Sequence, residues 1–419
     1  MALRAFLHPA LIGMGLHVAG VRVRRALFGH HRFEGSAEDI VRAGLETCWS
    51  GEYLTASPGT YQQFWTRDTG FAAPALVQLG APWPERLLSS LGWAIGVWRH
   101  RRTHVTTTIS PLFRWPVDVF DYGVDSLPLL LASLRSLTQS ADPAVASHAR
   151  ALAREHGGWI ADEVAFFVDQ VVDPSTGLVR ADRTFSAHRD TFKNGSTAYA
   201  NTMVALLART VAETGWGPDL LSRHFRTAHR DTPRDRAPGM PRVAGATDWG
   251  ALLRGHFWTG DRFKDRLGTD ATSGEANVWP FFAGLIDDRS MLATALETLR
   301  REGYATPYPL KFEVEHRTAN ELLVFRLWSP DYQTTTSWTS LGSVYLSLLR
   351  EVDAVGAAVE LDRMRRLIER DGTFWEVLDS RGRPWRSASR LSVSDTSMLW
   401  GAILLATLRS QGEPPLRLG

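Results

Sequence analysis

The feature that most limits how this chain can fold is a succession of apolar segments with helical spacing, many of them in adjacent pairs. Apolar residues recur every three or four positions, which predicts about a dozen helices. The segments lie at 36–49, 71–79, 82–98, 129–134, 142–168, 194–213, 274–285, 288–301, 336–352, 355–369 and 392–408. Strands do not alternate with these segments and no short exact repeat is visible, which disfavours a doubly wound sheet and a solenoid. We therefore predict an all-α fold, a closed ring of helical hairpins in two layers, with short β segments in loops that gather at one end.

Such a ring would occupy residues 36–419, behind an N-terminal extension at 1–35. The start of the extension is mildly apolar but too short to span a membrane, and it lacks the cleavage pattern of a signal peptide. We expect the extension to pack against the body of the protein; the alternative is an amphipathic segment lying on a surface. These features favour a cytoplasmic location.

Composition excludes several classes of function. The chain has 419 residues and a net charge of +2, which indicates neither a nucleic-acid partner nor a strongly acidic one. Its single cysteine, Cys48, excludes an internal disulfide framework and a cysteine-based zinc site. His100 and His104 have helical ligand spacing, but no third ligand follows, so we expect no metal and no cofactor. Sixteen tryptophans are compatible with core packing and with stacking on sugar rings.

Two carboxylates, Asp121 and Asp125, flank Tyr122 and Gly123 just before a long apolar helix. Asp125 would lie in the loop or first turn that leads into that helix. A carboxylate there is partly desolvated, which raises its pKa toward the range that a general acid needs. Asp is also a common helix cap, so a purely structural role is the alternative.

A second motif, Phe64-Trp-Thr-Arg-Asp68, precedes the helix at 71–79. Trp65 could stack on a sugar ring while Arg67 and Asp68 bind hydroxyl groups. An Arg–Asp pair that only orders the loop is equally compatible with the pattern.

Two further motifs place an acid beside aromatic residues. Glu275 precedes Trp279 at the start of a predicted helix, where it could contact a sugar or act as a cap. Glu376 follows Trp375 in a strand-like run, which is unusual for a solvated Glu, although an edge strand could hold one in water. We also predict substrate contacts from Lys193, Asn194 and Trp338, which the ring would bring to the same mouth.

With these motifs, the chain resembles the six-hairpin (α/α)6 glycosidases: the trehalase, mannosyl-oligosaccharide glucosidase and glucosylglycerate hydrolase families and the glycogen-debranching glucosidase domain. Phe64-Trp-Thr-Arg-Asp-Thr69 is similar to their early aromatic-Arg-Asp motif, and Tyr122-Gly-Val-Asp-Ser-Leu-Pro128 to their general-acid motif. Phe374-Trp-Glu-Val-Leu-Asp-Ser-Arg-Gly382 resembles their general-base motif. The chain departs from these families at Tyr122 and at Val393-Ser-Asp-Thr396.

The resemblance implies an inverting glycoside hydrolase with Asp125 as general acid and Glu376 as general base. It implies a small carbohydrate substrate with a terminal α-glucoside or α-mannoside. We expect long loops at 227–246 and 304–335 to close the pocket. The alternatives are a glycoside phosphorylase or a sugar epimerase on the same ring, or a carbohydrate-binding protein without activity.

Overall fold

The computed structural model describes residues 9–119, 121–218, 248–317, 320–323, 326, 329–387, 392–410 and 415–418. The predicted loop at 227–246 lies outside these ranges. The helices of the described residues are α1 (Pro9–Phe28), α2 (Ala37–Glu46), α3 (Thr66–Leu79), α4 (Trp83–Arg101), α5 (Ser126–Thr138), α6 (Pro143–Glu155), α7 (Gly157–Val171), α8 (Ala198–Thr214), α9 (Ala251–Phe257), α10 (Gly274–Phe282), α11 (Arg289–Arg301), α12 (Thr339–Val352), α13 (Ala354–Asp371) and α14 (Gly401–Arg409).

Six of these helices form the inner wall of a ring. In chain order they are α3, α5, α8, α10, α12 and α14; each packs on the next, and α14 packs back on α3. Helices of the outer layer, including α4, α6, α11, α13 and α2, pack outside them. The predicted all-α ring of helical hairpins is confirmed.

Burial separates the two layers. In α8 every residue from 198 to 211 is buried, as expected for a helix enclosed by neighbours on all sides. In α13 the buried residues recur at helical spacing, Ala357, Leu361, Met364 and Ile368, so only one face is covered. Consecutive inner helices are joined through the outer layer, so all inner helices begin at the same end of the ring.

Short antiparallel strands order two of the loops at that end. β1 (Phe64–Trp65) pairs with β2 (Thr108–Ser110), which pairs with β3 (Trp115–Val117). β4 (Ser337–Trp338) pairs with β5 (Val377–Leu378), with Trp338 opposite Val377. β1 leads directly into α3, and β4 leads directly into α12. The strands therefore fix the residues immediately before two inner helices.

The N-terminal helix α1 lies against this same end of the ring. His17 Nε2 lies 2.9 Å from the carbonyl oxygen of Gly59, and Arg25 forms an ion pair with Asp395. None of the described helices combines the length and the apolar character needed to cross a membrane.

Candidate active site

A cavity of about 250 Å³ opens at the end of the ring where the inner helices begin. This is slightly below the usual range for small-molecule sites, which is roughly 300–1,000 Å³, and it fits a small ligand such as a single sugar ring. Its wall is mainly aromatic and acidic. It consists of Val18, Thr60, Tyr61, Gln63, Trp65, Arg67, Asp68, Phe71, Val119, His188, Asp190, Thr191, Tyr332, Gln333, Trp338, Glu376, Met398 and Trp400.

A larger groove of about 460 Å³ lies at the other end of the ring, beside the C-terminal ends of α12 and α14. Several of its charged side chains are engaged within the protein: Arg417 pairs with Glu351, and Arg350 donates to the carbonyl oxygen of Thr407. Its described wall has a single aromatic side chain, Phe281, whereas the wall of the smaller cavity has six Phe, Tyr or Trp side chains. The aromatic cavity is therefore the candidate site.

Glu376 lies in the cavity wall, as the sequence predicts, and is almost fully buried. Its Oε1 accepts a hydrogen bond from Tyr332 Oη at 2.7 Å, and its Oε2 accepts one from the backbone N–H of Asp395 at 2.9 Å. Tyr61 Oη lies 3.1 Å from Tyr332 Oη. Burial, reinforced by the charge of Asp395, raises the pKa of Glu376 to about 7. A carboxyl group with this pKa can act as a base near neutral pH.

Arg67 organises the other side of the cavity. Its Nε donates to Asp125 Oδ2 at 2.5 Å, and its Nη2 donates to Asp125 Oδ1 at 3.2 Å. Its Nη1 donates to Asp190 Oδ2 at 2.9 Å. One guanidinium therefore holds two carboxylates, and only Asp190 of these two lies in the cavity wall.

Asp125 itself lies behind Arg67, just before α5. Its side chain is 0% exposed, and Oδ2 also accepts a hydrogen bond from Tyr199 at 2.8 Å. Both of its oxygens are thus occupied by protein donors. A general acid must reach the oxygen of the leaving group. The assignment of Asp125 as the acid stays a prediction, and this geometry does not favour it.

Asp190 has the surroundings that were expected of Asp125. Its side chain is 21% exposed, and Oδ1 accepts a hydrogen bond from Ser186 Oγ at 2.7 Å. Burial raises the pKa of Asp190 although Arg67 opposes the shift. The loop of Asp190 precedes α8, the third inner helix, whereas Glu376 lies on the segment between α13 and α14, the sixth inner helix. The two carboxyl groups therefore come from opposite sides of the ring.

Asp68 is the third carboxyl group of the wall, in the first turn of α3. Burial raises the pKa of Asp68 to about 7; the charge of Arg67 lowers it, and the charges of Asp190 and Glu376 raise it further. Because each of these charges disfavours the others, the three groups titrate together. Trp65, Arg67 and Trp338 lie in the same wall, and their contact with a substrate, like that of Asp68, stays a prediction.

Five other predicted contact residues lie outside the cavity wall. Asp121 accepts a hydrogen bond from Thr184, and Tyr122 packs on His104 and Phe166. Lys193 is exposed, and Asn194 donates to backbone carbonyl groups of its own loop. Trp375 Nε1 donates to Asp371 Oδ2. In the structure the side chains of Asp121, Tyr122, Asn194 and Trp375 support the loops around the site.

Glu275 and Trp279 lie one layer deeper, behind His188. Trp279 Nε1 lies 3.3 Å from His188 Nδ1, and Glu275 Oε2 lies 3.5 Å from the same nitrogen. Burial, with the charges of Arg67 and Arg189, holds the pKa of His188 well below its usual value. His188 is therefore neutral in the cavity wall, and the Nε1–H group of Trp279 orients its ring.

Sequence reasoning overlooked Asp190, His188 and Tyr332. Asp190 lies only three residues before Lys193, which was predicted at the mouth, but no family motif marks it. Its position in the loop before an inner helix was the available signal. Tyr332 comes from the loop at 304–335, which was predicted to close the pocket. Among the described residues no group of three or more His, Cys, Asp or Glu side chains is placed to hold a metal ion.

No protein-family model and no curated protein sequence matches the chain. Solved structures do resemble it. A glycosidase variant in complex with glucose is 14% identical, with 89% of this chain and 95% of that chain covered and a TM-score of 0.57. A rhamnosidase from Klebsiella oxytoca with rhamnose bound is 14% identical, covering 89% of this chain and 63% of that one at a TM-score of 0.58.

A GH63 mannosylglycerate hydrolase from Thermus thermophilus, in complex with Tris and D-glycerate, is also similar. It is 14% identical, with 89% of this chain and 100% of that chain covered and a TM-score of 0.53. At this level of identity the comparisons show a shared fold. The predicted resemblance to the six-hairpin glycosidase fold is thereby confirmed.

Proposed function

We propose that the protein is an inverting glycoside hydrolase that removes a terminal sugar from a small glycoside or oligosaccharide. Asp190 acts as the general acid and protonates the departing oxygen. Glu376 acts as the general base and activates a water on the opposite face of the sugar. This proposal keeps the predicted base and moves the acid from Asp125 to Asp190.

One observation carries the proposal: Asp190 and Glu376 lie in the wall of one aromatic cavity and come from opposite sides of the ring. An inverting mechanism needs carboxyl groups about 6.5–9.5 Å apart, so that a water fits between one of them and the sugar. Asp190 precedes the third inner helix and Glu376 the sixth, an arrangement that is consistent with such a separation. In contrast, Asp125 is separated from the cavity by Arg67.

The charges of the cavity favour a mixed protonation state. Asp68, Asp190 and Glu376 share the cavity with one guanidinium of its described wall, Arg67, which Asp125 also binds. Burial raises the pKa of each of the three carboxyl groups in the wall, and the charges of neighbouring carboxylates raise these pKa values further. Acid–base catalysis needs one carboxyl group protonated while another is ionised.

The wall also fits a sugar. Trp65, Trp338 and Trp400 supply flat apolar faces, and Asp68 and Gln333 supply groups that can bind hydroxyls. One similar structure contains glucose, another contains rhamnose, and a third is a mannosylglycerate hydrolase, so the fold itself does not select the sugar. The resemblance of the motifs favours an α-glucoside or α-mannoside.

The described cavity argues against two alternatives. A phosphorylase needs a cationic pocket for phosphate, but Arg67 is already bound to two carboxylates. An epimerase with a pair of histidines has only His188 available in the described wall. Dependence of turnover on phosphate would reverse the first argument.

The proposal is tested with a panel of small α- and β-glycosides of glucose, mannose and rhamnose, with NMR detection of the anomer first released. We expect hydrolysis without added phosphate and a product of inverted configuration. Retention of configuration, or no release from any glycoside, would contradict the proposal. Glu376→Gln is the matched negative control, because it preserves the shape of the side chain and removes the base.

A further inference from the structure

The N-terminal helix α1 contacts the candidate site at two levels. Val18 forms part of the cavity wall, and seven residues later Arg25 reaches the carboxylate of Asp395. Arg25 also donates to the carbonyl oxygen of Ser394 at 3.3 Å. Helix α1 thus touches both the space for substrate and the protein around the proposed base.

Asp395 is the residue that holds Glu376. Its backbone N–H donates to Glu376 Oε2 at 2.9 Å, and its carbonyl oxygen accepts from the backbone N–H of Glu376, also at 2.9 Å. The position of the Glu376 carboxylate therefore depends directly on the position of the Asp395 backbone. An error of about 1 Å in the placement of a reacting group can reduce a rate by roughly a hundredfold.

Four donors hold the Asp395 side chain. Besides Arg25, its carboxylate accepts from Ser57 Oγ at 2.6 Å and from the backbone N–H groups of Thr60 at 2.7 Å and Thr396 at 2.8 Å. The side chain of Asp395 is 1% exposed, and that of Arg25 is 15% exposed. Any Cβ on Gly59 would lie 2.5 Å from Arg25 Nη2 and 2.6 Å from Asp395 Oδ1, so this contact leaves no free space.

We propose that α1 is a component of the active site and that its Arg25 is a positioning residue for Glu376, acting through Asp395. This inference rests on the proposed function. The segment Val393-Ser-Asp-Thr396 is where the chain departs from the glycosidase families. Its aspartate, Asp395, binds the proposed base through its backbone and helix α1 through its side chain.

The charge of Arg25 has a second effect. The titratable groups around Glu376 are Asp395, Asp68, Tyr61 and Tyr332, and Cys48 lies near the charge of Asp395. The negative charge of Asp395 raises the pKa of Glu376. Without Arg25 this charge loses its ion-pair partner, and ionisation of Glu376 requires a higher pH.

The test measures kcat/KM against pH for the wild type, Arg25→Gln, Asp395→Asn and the double variant. We expect Arg25→Gln to lower kcat about tenfold or more and to shift the acidic limb of the pH profile of kcat/KM upward by about one pH unit. In the double variant the acidic limb should return toward its wild-type pH, because no unpaired charge remains. Arg25→Lys keeps the positive charge, so its acidic limb should stay at the wild-type pH.

Arg32→Gln is the matched control. Arg32 also joins the N-terminal segment to the body, through the carbonyl oxygen of Arg370, but it does not touch the site. If the acidic limb of the pH profile does not shift in Arg25→Gln, just as it does not in Arg25→Lys, the inference is overturned. If Glu376→Gln is inactive in the same experiment, the proposed function is unaffected. An active Glu376→Gln would instead overturn the proposed function.

Discussion

The two sides of the cavity hold their carboxyl groups by different means. On the side of α3 and α8, one guanidinium, Arg67, binds Asp190 and Asp125. On the side of α12 and α14, Glu376 is held by the phenol of Tyr332 and a backbone N–H. The first side uses charge, and the second uses neutral donors.

This difference suits different tasks. A guanidinium cannot release a proton in the working pH range, so Arg67 fixes Asp190 in place, while burial keeps the pKa of Asp190 raised against the charge of Arg67. Neutral donors bind the ionised form of Glu376 while burial keeps its pKa near 7, so the group can gain and lose a proton during turnover. Under the proposal, the division between acid and base follows the division between the two sides.

The largest expected effect is the loss of rate when the carboxyl group of either side is removed. Asp190→Asn and Glu376→Gln should each lower kcat by about 10²–10⁴-fold, the usual contribution of general acid–base catalysis. A substrate whose leaving group needs no protonation should recover much of its rate in Asp190→Asn, because only proton donation is missing. It should not recover in Glu376→Gln, where the water remains unactivated.

Steady-state kinetics on an activated and an unactivated glycoside of the same sugar measure this difference, and thermal unfolding checks that both variants fold. If the activated glycoside restores the rate equally in Asp190→Asn and Glu376→Gln, the assignment of the acid to one side and the base to the other is wrong.

Asp125→Asn tests which of the two carboxylates bound by Arg67 acts as the acid. Removing the charge of Asp125 breaks a buried ion pair with Arg67, which costs about 3 kcal/mol in the free energy of unfolding. Activity per folded molecule should fall less than in Asp190→Asn, and an activated leaving group should bring no special recovery. Denaturant unfolding and kinetics on both variants provide the measurement. Recovery in Asp125→Asn and not in Asp190→Asn would return the acid role to Asp125.

A smaller effect is expected at Glu275, where substitution should change how the free energy of unfolding depends on pH. It is buried, its Oε2 has no hydrogen-bond partner among the described residues, and burial raises its pKa to about 8 from a usual 4.5. Between these two values the folded state keeps a proton that the unfolded chain has released. The contribution of Glu275 to the free energy of unfolding is therefore full below about pH 4.5 and is lost as the pH rises toward 8.

Glu275→Gln should consequently lessen the decrease in stability between pH 5 and pH 8, with a gain over wild type on the order of 3 kcal/mol at pH 8. Urea unfolding at the two pH values measures it. Asp270→Asn, an exposed carboxylate, is the control and should leave the slope unchanged. An unchanged slope in Glu275→Gln would mean that its pKa is not raised.

The ring could be predicted because its helices appear in the sequence as apolar segments with helical spacing, many of them in adjacent pairs. Glu376 was also predictable, since its aromatic neighbours Phe374 and Trp375 are adjacent in the chain. The sequence could not distinguish Asp190 from Asp125 as the candidate acid. The distinction depends on the position of Arg67, which lies 58 residues from Asp125 and 123 residues from Asp190 in the chain. The contact between Arg25 and Asp395 spans 370 residues and leaves no local signal.

Closure of the ring has a consequence for how the protein is made. The inner wall is complete only when α14, the last inner helix in chain order, packs against α3, the first. During synthesis the apolar faces of α3 and α12 that α14 covers stay exposed until α14 itself has been made. Exposed apolar surface of this kind favours aggregation and chaperone binding. Removal of α14 would leave that gap in the ring open permanently.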